Sequence, residues 1–109
     1  MKILDLPLKA KWYDMIESGV KTEEYREIKP YWCKRLLGSN APLFSHRYVY
    51  QHANIKDYTH IRFRYGYTKR TMLREIKSIT FGYGNPDWGA PKDKEVFIIK
   101  LKPQENERH

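Results

Sequence analysis

The chain has 109 residues, of which 40% are hydrophobic and 15% aromatic, so it can form one domain with a modest core and has no room for a second. Its formal net charge of +8 favours an anionic partner, with nucleic acid as the first candidate and simple solubility as the alternative. No apolar stretch approaches the ~18 residues of a membrane span, and Pro7, Lys9 and Lys11 interrupt any signal-peptide pattern.

The N-terminal quarter predicts a strand followed by a helix. Residues 2–6 are typical of a strand, and Pro7 is expected to end it. Residues 8–18 have helical periodicity, and Gly19 is the expected left-handed cap. The predicted apolar stripe of this helix comprises Leu8, Trp12, Met15 and Ile16.

A short, highly charged strand is predicted next, over about residues 21–27. Strand alternation puts Thr22, Glu24 and Arg26 on one face, and Glu23 and Tyr25 on the other. Lys21 precedes them at the turn. Charged residues are seldom buried unless paired, so this strand either lies at the surface or lines a polar cleft.

A second helix is predicted from Pro30 to Gly38, with Cys33, Leu36 and Leu37 on its inner face. Cys33 is the only cysteine, so no internal disulfide can form, and we interpret it as a small buried hydrophobe. No Cys/His spacing suggests a metal. We therefore expect no metal or cofactor, and a reducing, cytoplasmic setting.

The remaining two thirds predict further strands. Residues 38–59 do not suggest a clear structure, although their aromatic content disfavours disorder. Strands are predicted from residue 60 to 67, from 72 to 81 with a bulge near Glu75, and from 95 to 101. In the second of these, Leu73, Ile79 and Phe81 are in phase. A loop is expected over residues 82–91, and a frayed tail over 103–109.

These elements predict an α+β fold formed by a single domain over residues 1–109. Five or six short strands with two N-terminal helices favour a small closed or nearly closed β-barrel, because closure removes exposed strand edges.

The motif Gly19-x-Lys21-x-x-Glu24-x-Arg26, preceded by a strand, Pro7 and a helix, resembles the ASCH (activating signal cointegrator homology) family. The match covers about residues 3–27. The resemblance implies a PUA-like β-barrel with a cleft beside the helix that precedes the motif. It also implies that this cleft binds RNA, single-stranded nucleic acid or a nucleotide, with Lys21, Glu24 and Arg26 on its wall.

The resemblance leaves open whether the chain is an enzyme. Some family members remove an acyl group from N4-acylated cytidine, using a threonine where this chain has Glu24. Position 24 therefore favours binding, although Lys21 and Glu24 would be the catalytic pair of a nucleoside hydrolase. Other members have ribonuclease activity. The simplest alternative is that Glu24 and Arg26 form an ion pair that only stabilises the fold.

Five more residues are candidates for ligand binding. Arg62 and Arg64 alternate with apolar residues and would contact phosphates, or would simply face solvent. Tyr83 and Trp88 would stack on bases, or Trp88 would cover one end of the barrel. Lys9 would extend the positive lining of the cleft. A protein-interaction module is a third functional class, and it predicts an exposed apolar patch.

Overall fold

The computed structural model of the chain describes residues 1–37 and 58–104, which form five strands and two helices. The predictions for residues 38–57, for Gly38 and for the end of the tail lie outside this part of the chain. Neither described helix is long and apolar enough to cross a membrane. The elements are β1 (Ile3–Leu8), α1 (Ala10–Glu17), β2 (Glu23–Arg26), α2 (Pro30–Leu37), β3 (His60–Tyr65), β4 (Thr71–Gly82) and β5 (Val96–Leu101).

The five strands form one sheet in the order β1-β3-β4-β5-β2. β1 and β3 are parallel, and the other neighbours are antiparallel. The sheet curls into a half-barrel, with β1 and β2 as its edges among the described strands. The predicted α+β fold with five strands and two N-terminal helices is therefore confirmed, and closure into a PUA-like barrel stays a prediction.

The main core fills the concave side of the curled sheet. Alternate residues of β1, β3 and β5 point into it, because successive strand residues face opposite sides. The helices cover this side, α1 through Tyr13 and Ile16 and α2 through its predicted inner face. Burial raises the pKa of the Cys33 thiol, as expected of a structural cysteine. The fully buried residues of this core include Leu4, Leu6, Ile16, Leu36, Ile61, Phe63 and Ile99.

The junction of β1 and α1 differs from the prediction. Pro7 does not end the strand, which continues to Leu8, and the helix begins only after Lys9. Leu8 is therefore buried as a strand residue and does not belong to the helical stripe. Because β1 is an edge strand of the described sheet, Pro7 can lie in it with its missing N–H on the unpaired side.

β4 contains the predicted irregularity, between Ile76 and Ser78. The prediction that Leu73 is in phase with Ile79 is wrong, because Leu73 is exposed whereas Ile79 is buried, and the neighbouring Arg74 is buried instead of Leu73. The guanidinium of Arg74 donates to the carbonyl oxygens of Ile16 and Lys102, at 3.2 and 3.0 Å. These two carbonyls replace the water that a buried cation loses. Arg74 can therefore occupy a buried position that the apolar pattern of the strand does not predict.

β5 is buried on both faces, as its continuous apolar run predicts. Ile99 joins the main core, and Ile98 joins a second cluster on the convex side with Tyr25, Ala90 and Val96. Residues 83–95, named here the β4–β5 connection, cover that cluster. The predicted loop contains one short 3₁₀ turn, Pro86–Trp88.

Candidate functional site

Lys21 is the most deeply buried charged residue of the motif, with 1% of its surface exposed. Its Nζ donates to the backbone carbonyl of Trp88 and lies 2.9 Å from Oε1 of Glu24. The ring centroids of Trp12 and Tyr25 lie 4.6 and 5.2 Å from the same nitrogen. Burial lowers the pKa of Lys21, and the Glu24 carboxylate opposes that shift. The ammonium is thus enclosed by a carbonyl, a carboxylate and two aromatic faces.

Glu24 connects Lys21 to Arg26. While one carboxylate oxygen pairs with Lys21, the other lies 2.5 Å from Nη1 of Arg26, which also donates to the carbonyl of Tyr25 at 2.7 Å. Glu24 is 4% exposed, and the Arg26 side chain is 19% exposed. The three charges of the motif therefore form one Lys21–Glu24–Arg26 network, of which only Arg26 reaches solvent.

Arg26 reaches a cleft of about 460 Å³, here named the β2 cleft. Its walls are formed by β2 with the residues just after it, by helix α2, and by the β4–β5 connection with the first residue of β5. Its charged residues are three cations and one carboxylate, a net charge of +2. The cleft is also lined by two aromatic residues, Tyr25 and Trp32. The described lining residues are Tyr25, Arg26, Glu27, Lys29, Trp32, Gly89, Ala90, Pro91, Lys94 and Val96.

Two arginines flank Trp32 on α2. The guanidinium carbons of Arg26 and Arg35 lie 5.2 and 5.4 Å from its ring centroid, within the range of cation–π attraction. Tyr31 meets Trp32 edge to face, with ring centroids 4.8 Å apart. The ion pair with Glu24 and the contact with the Trp32 ring thus hold Arg26 at the cleft, where its remaining N–H groups can bind an acceptor.

Helix α1 contributes differently from what the resemblance implies. None of the described lining residues of the β2 cleft belongs to α1. The helix reaches the site through Trp12, whose ring packs against both Lys21 and the backbone of Gly89. α1 therefore supports the cleft from behind, by covering the buried end of the Lys21–Glu24–Arg26 network.

Of the other sequence candidates, the structure does not bring Lys9, Arg62, Arg64 or Tyr83 to the cleft lining. Lys9 is exposed at the start of α1. Arg62 pairs with Asp5 at 3.2 Å, and Arg64 donates to the carbonyl of Thr68. Both arginines lie on β3, which β4 and β5 separate from β2 in the sheet. Tyr83 is exposed just after β4.

Trp88 is half-buried, packs on the convex cluster and offers its carbonyl to Lys21.

Among the ten described lining residues, sequence reasoning named only Arg26 as a candidate for ligand binding. The charged or aromatic lining residues that it missed are Tyr25, Glu27, Lys29, Trp32 and Lys94. One signal for Trp32 was available, because this large aromatic lies at the edge of the stripe of Cys33, Leu36 and Leu37 on α2, where it is only partly buried. The two lysines have no such signal. Within residues 1–37 and 58–104, no cluster of His, Cys, Asp or Glu side chains could hold a metal ion.

The Tyr25 hydroxyl ties the β4–β5 connection to β2. It donates to Oε1 of Glu23 at 2.8 Å and accepts from the backbone N–H of Asn85 at 3.0 Å. Burial is the main cause that raises the pKa of the Tyr25 phenol above its ordinary value of 10.0. The folded state therefore holds the phenol proton more tightly than the unfolded state does. The contribution of Tyr25 to the free energy of unfolding is fully present below about pH 10 and is lost as pH rises further.

We therefore predict that Tyr25→Phe lowers the free energy of unfolding by about 1 kcal/mol at neutral pH, because two hydrogen bonds are lost. The difference from wild type should shrink above about pH 10, by up to ~1.4 kcal/mol per pH unit. Urea unfolding between neutral pH and about pH 11 measures this. Tyr67→Phe is the control, since Tyr67 is 96% exposed. A Tyr25→Phe difference that does not change with pH would contradict the assignment.

Comparison with known proteins finds no matching family model, no matching curated protein and no matching solved structure.

Proposed function

We propose that this chain is an ASCH-like domain with a PUA-like fold that binds RNA or a nucleotide in the β2 cleft. The observation that carries this proposal is the composition of the cleft, which joins three cations to two aromatic rings beside the motif that resembles the family. Its volume of about 460 Å³ lies within the roughly 300–1,000 Å³ that is usual for small-ligand sites.

Each part of the cleft has a role in this proposal. Arg26 offers a planar set of donors to a phosphate or to the edge of a base, and the Glu24 carboxylate holds it in place. Lys29 and Lys94 supply further positive charge, although Lys94 lies 4.0 Å from the carboxylate of Glu27. Trp32 supplies an aromatic face, and stacking of one base is worth ~1–3 kcal/mol.

The hydrolase alternative has less support. Catalysis by Lys21 and Glu24 requires that a substrate reach Nζ or the carboxylate, and both side chains are at most 5% exposed. Trp12, Tyr25 and the carbonyl of Trp88 occupy the space around Nζ. A reaction at this pair would need these groups to move, whereas binding at Arg26 needs no such change.

The test is a titration with the four ribonucleoside 5′-monophosphates, followed by backbone amide chemical shifts. We expect shifts concentrated at residues that line the β2 cleft, and an affinity that falls as salt is raised from about 50 to 200 mM. The variant Lys29→Gln/Lys94→Gln should bind about tenfold more weakly, at roughly 0.7 kcal/mol per lysine.

The control Lys34→Gln/Lys69→Gln removes the same charge from exposed lysines outside the described cleft lining, and it should bind nearly as wild type does. Salt-independent affinity, shifts elsewhere on the molecule, or equal losses in both double variants would each contradict the proposal. Incubation with N4-acetylcytidine addresses the hydrolase alternative directly. Release of acetate by wild type, and not by a Lys21→Met variant that thermal unfolding shows to be folded, would favour catalysis.

A further inference from the structure

A second basic hollow lies at the other end of β2. Its volume is about 330 Å³, and it borders Thr22 and Glu23, whereas the β2 cleft borders Tyr25 to Glu27. It contains four cations and one carboxylate, a net charge of +3, which exceeds that of the cleft. The cations of this hollow, named here the lysine hollow, are Arg74, Lys77, Lys100 and Lys102.

The cations of the lysine hollow differ in how firmly they are already paired. Lys102 forms an exposed ion pair with Glu75 at 2.9 Å, and the buried Arg74 donates to two backbone carbonyls. Lys100 lies 3.9 Å from Glu23, which is a loose pair. Lys77 lies at the bulge of β4, is exposed and pairs with no carboxylate among the described residues. Lys77 and Lys100 are therefore the two charges most available to an added anion.

Both hollows border β2, the lysine hollow at the start of the strand and the β2 cleft at its end. Glu23 lines the first and Tyr25 the second, and a hydrogen bond of 2.8 Å joins these side chains. From Glu23 to Arg26 the strand rises by about 10 Å, at ~3.3 Å per residue. β2 is moreover an edge strand of the described sheet. The two basic hollows thus lie about the length of one short strand apart along β2.

We propose that the ligand of this protein is a single-stranded polynucleotide that runs along β2, with one base in the β2 cleft and neighbouring phosphates in the lysine hollow. This inference rests on the proposed function and narrows its ligand from RNA or a nucleotide to a single strand of several nucleotides that occupies both hollows. A repeating phosphate backbone is the anion that two separated basic hollows fit. A single strand is favoured over a duplex, because Trp32 can stack only on a base that is not already stacked inside a double helix.

The experiment compares two probes of the same base, the ribonucleoside 5′-monophosphate that binds most tightly and its homohexamer. Each is titrated against wild type, against Lys77→Gln/Lys100→Gln, and against the matched control Lys34→Gln/Lys69→Gln. Both double variants lower the net charge by two and change exposed side chains, and thermal unfolding checks that both remain folded.

Wild type should bind the hexamer about tenfold more tightly than the monophosphate at ~50 mM salt. Lys77→Gln/Lys100→Gln should lose most of that advantage and keep its affinity for the monophosphate. The slope of log affinity against log salt should fall by about 1.4 for the hexamer, since each phosphate contact on a single strand contributes ~0.7. The control variant should keep the wild-type slope.

A hexamer that binds no more tightly than the monophosphate would overturn this inference and leave the proposed function intact. The same holds if both double variants weaken the hexamer equally, because net charge would then explain the effect. If no monophosphate and no hexamer binds, both the inference and the proposed function fail.

Discussion

Replacing Glu24 with alanine is expected to destabilise the fold by about 3–5 kcal/mol. The substitution leaves the ammonium of Lys21 and the guanidinium of Arg26 without the carboxylate that they share. Water cannot take its place at Lys21, which is 1% exposed. Thermal unfolding should show this as a midpoint lower by roughly 12 °C or more, at ~4 °C per kcal/mol for a domain of this size.

Two comparisons separate the buried network from ordinary surface charge. Glu17→Ala breaks the exposed pair between Glu17 and Arg70, and it should cost less than about 1 kcal/mol. Glu24→Gln keeps the shape of the side chain but removes its charge. The double variant Glu24→Gln/Lys21→Met also removes the ammonium that Glu24→Gln leaves unpaired. That double variant should recover part of the lost stability. Losses of similar size for Glu24→Ala and Glu17→Ala would contradict the buried network.

This result bears on how the motif is tested for function. A variant at Glu24 or Lys21 that no longer binds RNA can fail because it is unfolded, since both residues lie beneath the site and not on its surface. Lys29, Lys94 and Lys77 are better probes, because their side chains are exposed and border the hollows directly.

Gly89→Ala is the second substitution with a large expected effect, a loss of about 2–5 kcal/mol when two costs are combined. The first cost is backbone strain, because Gly89 has a φ of 101°, where residues with a Cβ are disfavoured. The second is crowding, because an added Cβ would lie 3.0 Å from the Trp12 ring, and the ring would have to shift by a few tenths of an ångström. Trp12 also packs against Lys21, so a shift of the ring would disturb that contact as well.

Gly66→Ala is the matched control. Gly66 also has a positive φ, of 57°, but an added Cβ there meets nothing within 4 Å. It should therefore cost only the strain, about 1–2 kcal/mol. Urea unfolding of the two variants measures the difference, which reports on the contact between α1 and the β4–β5 connection. Equal losses at the two glycines would show that Trp12 is not held against Gly89.

The positions of most secondary-structure elements could be predicted from the sequence, because the relevant interactions are local. Alternation along residues 60–65 identifies the buried face of β3, with Ile61 and Phe63 inside. The stripe of Cys33, Leu36 and Leu37 identifies the inner face of α2. The left-handed conformation of Gly19, at a φ of 88°, follows from its position after a helix. Each of these features depends on residues within a few positions of one another.

The environment of the motif residues could be predicted only in part. The motif drew attention to Lys21, Glu24 and Arg26, and these do lie together. Their burial could not be predicted, because Lys21 is enclosed by Trp12 from one helix and by the carbonyl of Trp88, 67 positions away. Arg74 is a similar case, since its partners Ile16 and Lys102 belong to distant segments.

Periodicity and turn residues act over short distances, so the amino-acid sequence was enough to predict the α+β class, most of the strands and helices, and the charged motif. Which of those charges are buried, and where the two basic hollows lie, emerged only from the folded chain. A hollow and a desolvated charge are both defined by surfaces from segments far apart in the chain, and no local pattern specifies which surfaces meet.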